Sequence, residues 1–391
     1  MQKLDSTPPA SPAWSPWERD VFPHRFDLAV IGGGLVGLSA AISALERKPG
    51  LRIAVLERGA WPSGASTRNA GFACFGSMTE LLADTDHMGA TASWRLVEDR
   101  WNGLQHLRRR LDDSAISLQL EGGYELFGPA DAEAYARCMA HLDEFNERLQ
   151  PITGLKETFV GADDRLASFG FSGVEHLIYN RAEGQLHPGR LMAALCALAR
   201  KQGVQLLNGL EVLDWRATQG GYELVCRAER PLWAARVLVA NNGFAARLLP
   251  GLELQPARNQ VLLTRPVPGG LPWRGCFHYR QGYIYFRNVG DRILLGGARD
   301  LDPDGERTDE FGNHSGIREA LDRFLKEVLA PGLQVEPEHC WSGILGVGPR
   351  KEPLVKEVQP GLFTAVRLSG MGIALGSQLG ERIARQMFPG R

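Results

Sequence analysis

The sequence predicts an α/β fold in which a doubly wound domain is assembled from separated stretches of chain, with an α+β domain inserted between them. Three observations lead there. Leu28-Ala29-Val30-Ile31 and Ile53-Ala54-Val55-Leu56 are short continuous apolar runs, the pattern of strands buried on both faces. Leu35, Leu38, Ile42 and Leu45 recur between them at helical spacing until Pro49-Gly50 stops the helix, so this stretch makes one βαβ unit. The same composition returns only near the end, at Leu362-Phe363-Thr364-Ala365-Val366.

The middle of the chain reads differently. Trp101, Leu104, Leu107 and Leu111 mark an amphipathic helix, with Arg108, Arg109 and Arg110 expected on its solvated face. From Gln260 to Gly297 the pattern turns to strands: Val261-Leu262-Leu263, Tyr283-Ile284-Tyr285-Phe286 and Ile293-Leu294-Leu295. The expected division is an N-terminal arm over 1–25, a first domain over 26–90, 175–258 and 340–391, and a second over 91–174 and 259–339. Trp14 and Trp17 are candidates to pin the arm to the surface.

Composition narrows the function. The chain has 391 residues, too many for one ordinary core. A net charge of −1 gives no global attraction to nucleic acid or an anionic membrane. The six cysteines form no CxxC pair and the nine histidines no ligand-spaced pair, so neither a disulfide framework nor a metal is expected. No apolar run reaches membrane-spanning length. The first 20 residues carry four prolines and no apolar core of a signal peptide, which makes the cytoplasm the expected compartment.

Three glycine-rich stretches carry the chemistry. In Gly32-Gly33-Gly34-Leu35-Val36-Gly37, Gly32 permits a tight turn, Gly34 admits a pyrophosphate, and Gly37 lets the helix pack on the sheet. The helix start offers free N–H groups to phosphates. Glu57 ends the next strand and is placed to accept from a ribose diol, which favours FAD or NAD over NADP. Gly64-Ala65-Ser66-Thr67-Arg68-Asn69-Ala70-Gly71 follows a few residues later. A nicotinamide enzyme has no need of such a loop there, whereas an isoalloxazine and its ribityl arm extend that far. The plain alternative is a surface turn, weakened by the apolar Phe72-Ala73-Cys74-Phe75 that follows. Ser369-Gly370-Met371-Gly372-Ile373 opens the last helix, where backbone N–H groups can stabilise the negative charge that builds over a flavin's N1 and C2 carbonyl.

From about Phe26 to the C-terminus, these motifs resemble the D-amino-acid oxidase-like (DAO) family of FAD-dependent oxidoreductases. Asp27–Ile31 with its glycine turn, Leu56-Glu57-Arg58 and Ala65–Gly71 match, as do Gly203-Val204 with Val212, Val239–Gly243, Arg258-Asn259-Gln260 and Gly370–Ile373. The resemblance implies a Rossmann-type FAD-binding domain in discontinuous segments and an inserted α+β substrate domain whose antiparallel sheet roofs the flavin. It implies cofactor contacts at Gly32, Gly34, Gly37, Glu57, Arg58, Ser66, Thr67, Arg68, Asn69, Ala70 and Gly71. Further contacts are implied at Val212, Asn241, Gly243, Gly370, Met371, Gly372 and Ile373, with Val212 holding adenine through its backbone.

Two family features are missing. Gly343-Ile344-Leu345-Gly346-Val347 occupies the place of the family's carboxylate-binding arginine, and Leu294 that of the lysine sarcosine oxidases use toward oxygen. No cysteine falls where sarcosine oxidases attach flavin, so FAD is expected to be noncovalent. Arg287 is the candidate replacement clamp, because alternation puts Tyr283, Tyr285 and Arg287 on one sheet face. The alternative for that trio is a half-exposed face without a role. His278 is a candidate base or a sheet histidine bonded to backbone, and Cys74 a redox thiol or an inert buried one.

The expected activity is oxidation of a C–N bond of an amine or amino acid, hydride passing to flavin N5 and leaving an imine for water to hydrolyse. Partners are then the small-molecule substrate and an electron acceptor, whether oxygen, a quinone or a carrier protein. Oxidation of a 2-hydroxy acid or alcohol is the alternative and would need His278 or His187 as base. A noncatalytic flavin-binding sensor or assembly protein is the alternative of another class.

Overall fold

The computed structural model describes residues 15–21, 24–227 and 231–390. Two large sheets organise it. At the centre of the first, the strand Arg25–Ile31 runs parallel to Ile53–Glu57 on one side and Leu232–Val239 on the other. Gln205–Asn208 and Leu362–Val366 extend the parallel array, and Leu354–Gln359 closes it antiparallel. Every residue of Ile53–Glu57 and Leu362–Val366 is buried, as a parallel sheet covered on both faces requires. The helices Leu35–Arg47, Pro188–Lys201 and Gly372–Met387 cover one face through Leu38, Ile42, Leu191, Leu195, Leu379 and Ile383. An antiparallel hairpin, Val212–Thr218 with Gly221–Cys226, joins the core on the other face through Tyr222 and Leu224.

The second sheet has eight strands, in the spatial order Pro337–Val347, Gln255–Thr264, Arg292–Gly297, Ile284–Val289, Cys276–Tyr279, Gly123–Phe127, His176–Asn180 and Phe159–Gly161. All pairs are antiparallel except Cys276–Tyr279 with Gly123–Phe127. Its outer core is aromatic. Phe277 and Phe286 stack at 4.6 Å between centroids, with Trp273, Phe171 and Phe324 around them.

The structure moves four sequence expectations. Gly123 pairs with Asn180 and Gln255 with Val347, so strands of the second sheet straddle the expected boundaries at 175 and 340. The helix Ala90–Arg110 buries Leu96, Leu104 and Leu107 in the core of the first sheet's helices, although 91–174 was assigned to the second domain. Its Arg110 is not solvated: the side chain is 4% exposed and donates to Ser43 Oγ at 2.9 Å and Glu46 Oε2 at 2.8 Å, pinning one helix to another. Trp17, on the short helix Pro16–Val21, is 78% exposed rather than packed down, whereas Trp14 lies outside the described residues. Among the described residues no helix is long and apolar enough to cross a membrane.

Candidate active site

The two sheets enclose a cavity of about 690 Å3 between the carboxyl ends of the parallel strands and the inner face of the second sheet. At one end the chain leaves the first strand at Gly32, whose φ of +110° a side chain would strain. Gly37 sits where any Cβ would overlap the Gly32 carbonyl oxygen, which fixes the helix tightly on the turn. Gly34 caps that helix with no side-chain hydrogen bond, and Gly34, Leu35 and Val36 line the cavity. One N–H, that of Leu35, donates to Ser66 Oγ at 3.0 Å. Glu57 lines the same end, its Oε2 accepting from Gly33 N at 3.1 Å and its Oε1 from Gly59 N at 3.0 Å. Those two bonds aim the carboxylate and leave further lone pairs for a diol. Arg58 lies 4.0 Å over the Phe244 ring, and Val212 lines the wall nearby. Asn241 lines the cavity with its buried Oδ1 without a hydrogen-bond partner.

The loop beyond Glu57 is built to hold its own shape. Asn69 Nδ2 donates to the Ala65 and Ser66 carbonyls at 2.9 Å each, and its Oδ1 accepts from Gly71 N at 2.8 Å. Thr67 Oγ1 donates to the Pro62 carbonyl. Arg68 donates to the carbonyls of Ser63 and Ser342, and Trp341 Nε1 returns a bond to the Arg68 carbonyl. What this loop offers the cavity is therefore mainly backbone, along Arg68, Asn69, Ala70 and Gly71. At the third glycine stretch, Gly370, Met371, Gly372 and Ile373 line the cavity at the start of the helix Gly372–Met387, again with no side-chain cap. Two helix starts whose cap residues bring no side-chain bond, an aimed carboxylate and an amide oxygen left without a partner among the described residues fit a diphosphate, a ribose and a flavin ring. Of the residues expected at the cofactor, Gly37, Thr67 and Gly243 lie behind the wall and shape it; the others line it.

The second sheet and the segment following the loop form the remaining chamber. Tyr285 lines it, its hydroxyl accepting from Asn259 Nδ2 at 3.0 Å. Burial pushes the Tyr285 phenol well up, so it stays protonated and keeps a free O–H donor. His278 lines the chamber beside Phe72 and is buried, its Nε2 3.1 Å from Glu183 Oε2. Burial alone would push this imidazole down. The Glu183 carboxylate, with Glu80 and Glu125 adding to it, overrides burial and raises it to about 9. His278 is thus an imidazolium at neutral pH and no base. Cys74 Sγ, Glu183 and His278 bring ligand-type atoms within 4.8 Å of one another, a juxtaposition the spacing of histidines and cysteines does not reveal. Burial, then Glu183, pushes the Cys74 thiol well up, which makes it inert rather than reactive.

Two expected residues are not available to a substrate. Arg287 is 7% exposed and does not line the cavity. Its guanidinium donates to the Ala70 carbonyl, to Gln185 Oε1 at 3.3 Å and to the Leu186 carbonyl at 3.2 Å, so its donors are spent on backbone and amide. Alternation gave the face but not the occupancy of the fork. His187 caps the helix Pro188–Lys201, accepting from Arg190 N at 3.3 Å, and lies outside the cavity.

Arg299, which sequence reasoning missed, is a further cation facing the chamber. It lines the cavity, has no side-chain hydrogen bond or ion pair among the described residues, and holds its Cζ 5.6 Å from the Tyr283 ring centroid. Gly297 and Ala298, at φ +111° and +59°, break the strand Arg292–Gly297 just before it, and Ala298 N donates to the Tyr283 carbonyl at 2.7 Å. The Gly296-Gly297 pair was the available signal of a sharp strand end. Glu80, Asp84, Arg100 and Lys351 also line this part unforeseen.

A family model described as FAD-dependent oxidoreductase, DAO, matches residues 27–386. The chain is 26% identical over 403 residues to a probable oxidoreductase OrdL of Rhizobium meliloti, covering 96% of this chain and 88% of that one. It is 27% identical over 372 residues to a glycine oxidase of Geobacillus kaustophilus, covering 92% of each. A crystal structure of glycine oxidase from Geobacillus kaustophilus shares the fold at a TM-score of 0.70 and 24% identity, over 94% of this chain and 96% of that one. With the dinucleotide-shaped cavity already in place, the match across nearly the whole chain means that this protein belongs to the DAO family of FAD-dependent oxidoreductases.

Proposed function

We propose that this enzyme oxidises the C–N bond of an amino acid, with the substrate carboxylate held by Arg299. The observation that carries the reading is an unpaired guanidinium lining the chamber beside Tyr283, in a protein whose expected clamp, Arg287, is spent elsewhere. A cation kept partly buried without a partner costs stability, and an anionic ligand would repay it. The likeness to a glycine oxidase over most of both chains supports the same substrate class.

Bound FAD supplies a two-electron acceptor. The chain's own groups do the rest. Arg299 would orient the carboxylate, and the Tyr285 hydroxyl offers a donor to the same ligand. Phe72, Val261 and Ile344 supply an apolar part of the wall. The backbone N–H groups at Gly372–Ala374, at a helix start that lines the cavity, would stabilise negative charge developing on the ring of bound FAD. With its pKa raised, His278 would not take a proton from the substrate, so in this reading the amine enters as the neutral base. Loss of a hydride from that neutral amine would leave an iminium ion, which water would hydrolyse to the carbonyl product and ammonium. FAD is held without a covalent bond in this reading: Cys74, the cysteine among the cavity-lining residues, is a dry, protonated thiol.

Anaerobic mixing of the yellow holoenzyme with D- and L-amino acids, simple amines and 2-hydroxy acids tests the proposal. Bleaching by an amino acid, lost or slowed at least tenfold in Arg299→Gln, is expected. Bleaching by a 2-hydroxy acid alone, or by nothing in the panel, would overturn it.

A further inference from the structure

The chamber holds a second unpaired charge, of opposite sign to Arg299. Glu80 stands in the first turn of the helix Met78–Met88 and lines the cavity. Its Oε2 accepts from Ser77 N at 3.2 Å, and no cation among the described residues pairs with it. Of its charged neighbours, Glu125 lies behind the wall, accepting from Ser77 Oγ and Thr79, and the others are paired. Asp84 meets Lys351 Nζ at 2.6 Å and Arg100 Nη2 at 3.6 Å, and His278 meets Glu183. Glu80 and Arg299 are the two left over on this side of the chamber.

One turn of chain connects them. A Cβ built on Gly282 would lie 3.2 to 3.4 Å from the Glu80 carboxyl atoms. The next residue, Tyr283, carries the ring that Arg299 approaches, and its carbonyl accepts from Ala298 N. Arg280, Gln281 and Gly282 all have positive φ, at 52°, 55° and 76°, so the turn is held in a conformation that two of its side chains disfavour. Glu80 and Arg299 thus flank the Gly282-Tyr283 dipeptide without forming an ion pair with each other. Two opposite charges that share a partly buried chamber yet do not meet are each left for something between them.

We propose that Glu80 is a subsite for a cationic side chain, and that the preferred substrate is a basic amino acid whose carboxylate meets Arg299 while its terminal ammonium or guanidinium meets Glu80. The inference rests on the amino-acid reading above and adds the side-chain class to it. Glu80 also contributes to the raised pKa of His278 and of Cys74, which places its field inside the same chamber. Lys351 and Arg100 do not compete for it, since Asp84 holds both.

Matched pairs of substrate isolate the tail. Lysine and norleucine have nearly the same shape and differ in one ammonium; ornithine and norvaline make a second pair. Anaerobic stopped-flow reduction gives the specificity ratio within each pair, for both enantiomers. In the native holoenzyme the cationic member should win by at least tenfold, about 1.4 kcal/mol. Glu80→Gln keeps an acceptor for Ser77 N, since glutamine serves the same position of a capping box. It should bring the ratio to near one, and Glu80→Lys should reverse it in favour of acidic tails. Arg299→Gln should weaken both members of a pair together and leave the ratio standing.

Equal use of lysine and norleucine by the native enzyme, or a full cationic preference surviving in Glu80→Gln, would overturn the subsite. If no amino acid reduces the flavin, the C–N reading falls by itself. The subsite is then judged by equilibrium binding, read from the shift of the oxidised flavin spectrum with lysine against norleucine. Tighter lysine binding that depends on Glu80 upholds it, and its absence refutes it.

Discussion

Replacing Glu183 with glutamine should make the stability of this enzyme respond to pH differently from the native protein. Glu183 and His278 are both buried and 3.1 Å apart, with side-chain exposures of 1% and 6%. The native imidazole titrates near 9, against an ordinary 6.5. A group that binds its proton more tightly when folded stabilises the fold in full below the unfolded pKa, and that contribution fades as pH rises through the folded one. Here the window runs from 6.5 to about 9. The ceiling is about 3 kcal/mol, and about 2 to 3 kcal/mol remains at pH 7. Without the carboxylate, burial dominates and His278 becomes neutral, so Glu183→Gln should forfeit that amount at pH 7 and almost none of it at pH 10. Urea unfolding of the two holoproteins at fixed free FAD, at both pH values, measures the gap. A gap that is the same at pH 7 and pH 10 would show that the pair contributes packing alone and that His278 is not charged in the native state.

Other perturbations have equally direct readouts. Glu57→Ala should weaken FAD binding by about 10- to 100-fold, the loss of a charge-assisted bond of about 1.5 to 3 kcal/mol; quenching of flavin fluorescence by apoprotein measures it, and unchanged affinity would remove the diol role. Gly37→Ala should yield colourless or poorly folded protein, since its Cβ overlaps the Gly32 carbonyl and overpacking costs about 1 to 3 kcal/mol. A yellow protein of normal melting temperature would contradict that. Arg287→Met should lower stability by about 2 to 4 kcal/mol by stranding the Ala70 and Leu186 carbonyls and Gln185. Arg287→Lys should not restore it, because one ammonium cannot replace the fork. If Arg287→Met instead spares stability and abolishes only substrate binding, Arg287 is the clamp after all.

The parts of the site that were legible in the sequence depend on neighbours in the chain. Gly32 to Gly37 and Glu57 are read from one βαβ unit, because turn, helix start and strand end all fall within it. Alternation on Ile284–Val289 correctly put Tyr285 toward the chamber. It could not say that Arg287, two residues on, would be consumed by Ala70 and Leu186, since those lie 217 and 101 positions away. His278 and Glu183 are 95 positions apart, so the charge that keeps the histidine protonated was invisible. Arg299 was missed because its direction is set by the left-handed Ala298 rather than by the period of the preceding strand. Arg110 was misread for a related reason. A helix period reports which residues face inward but not that a long side chain can reach round to Ser43 and Glu46 on a neighbouring helix.

Arg287 also bears on how the protein is assembled. It is carried by the second sheet, yet it grips the backbone of the asparagine-containing loop and the entrance to a helix of the first. The glycine turn, Glu57 and Ser66 come from one stretch of chain, whereas the ring end is finished only when a strand from the other half has docked. An isolated nucleotide-binding half would therefore hold ADP far better than FAD, and tight binding of the ring would wait until Ile284–Val289 has docked.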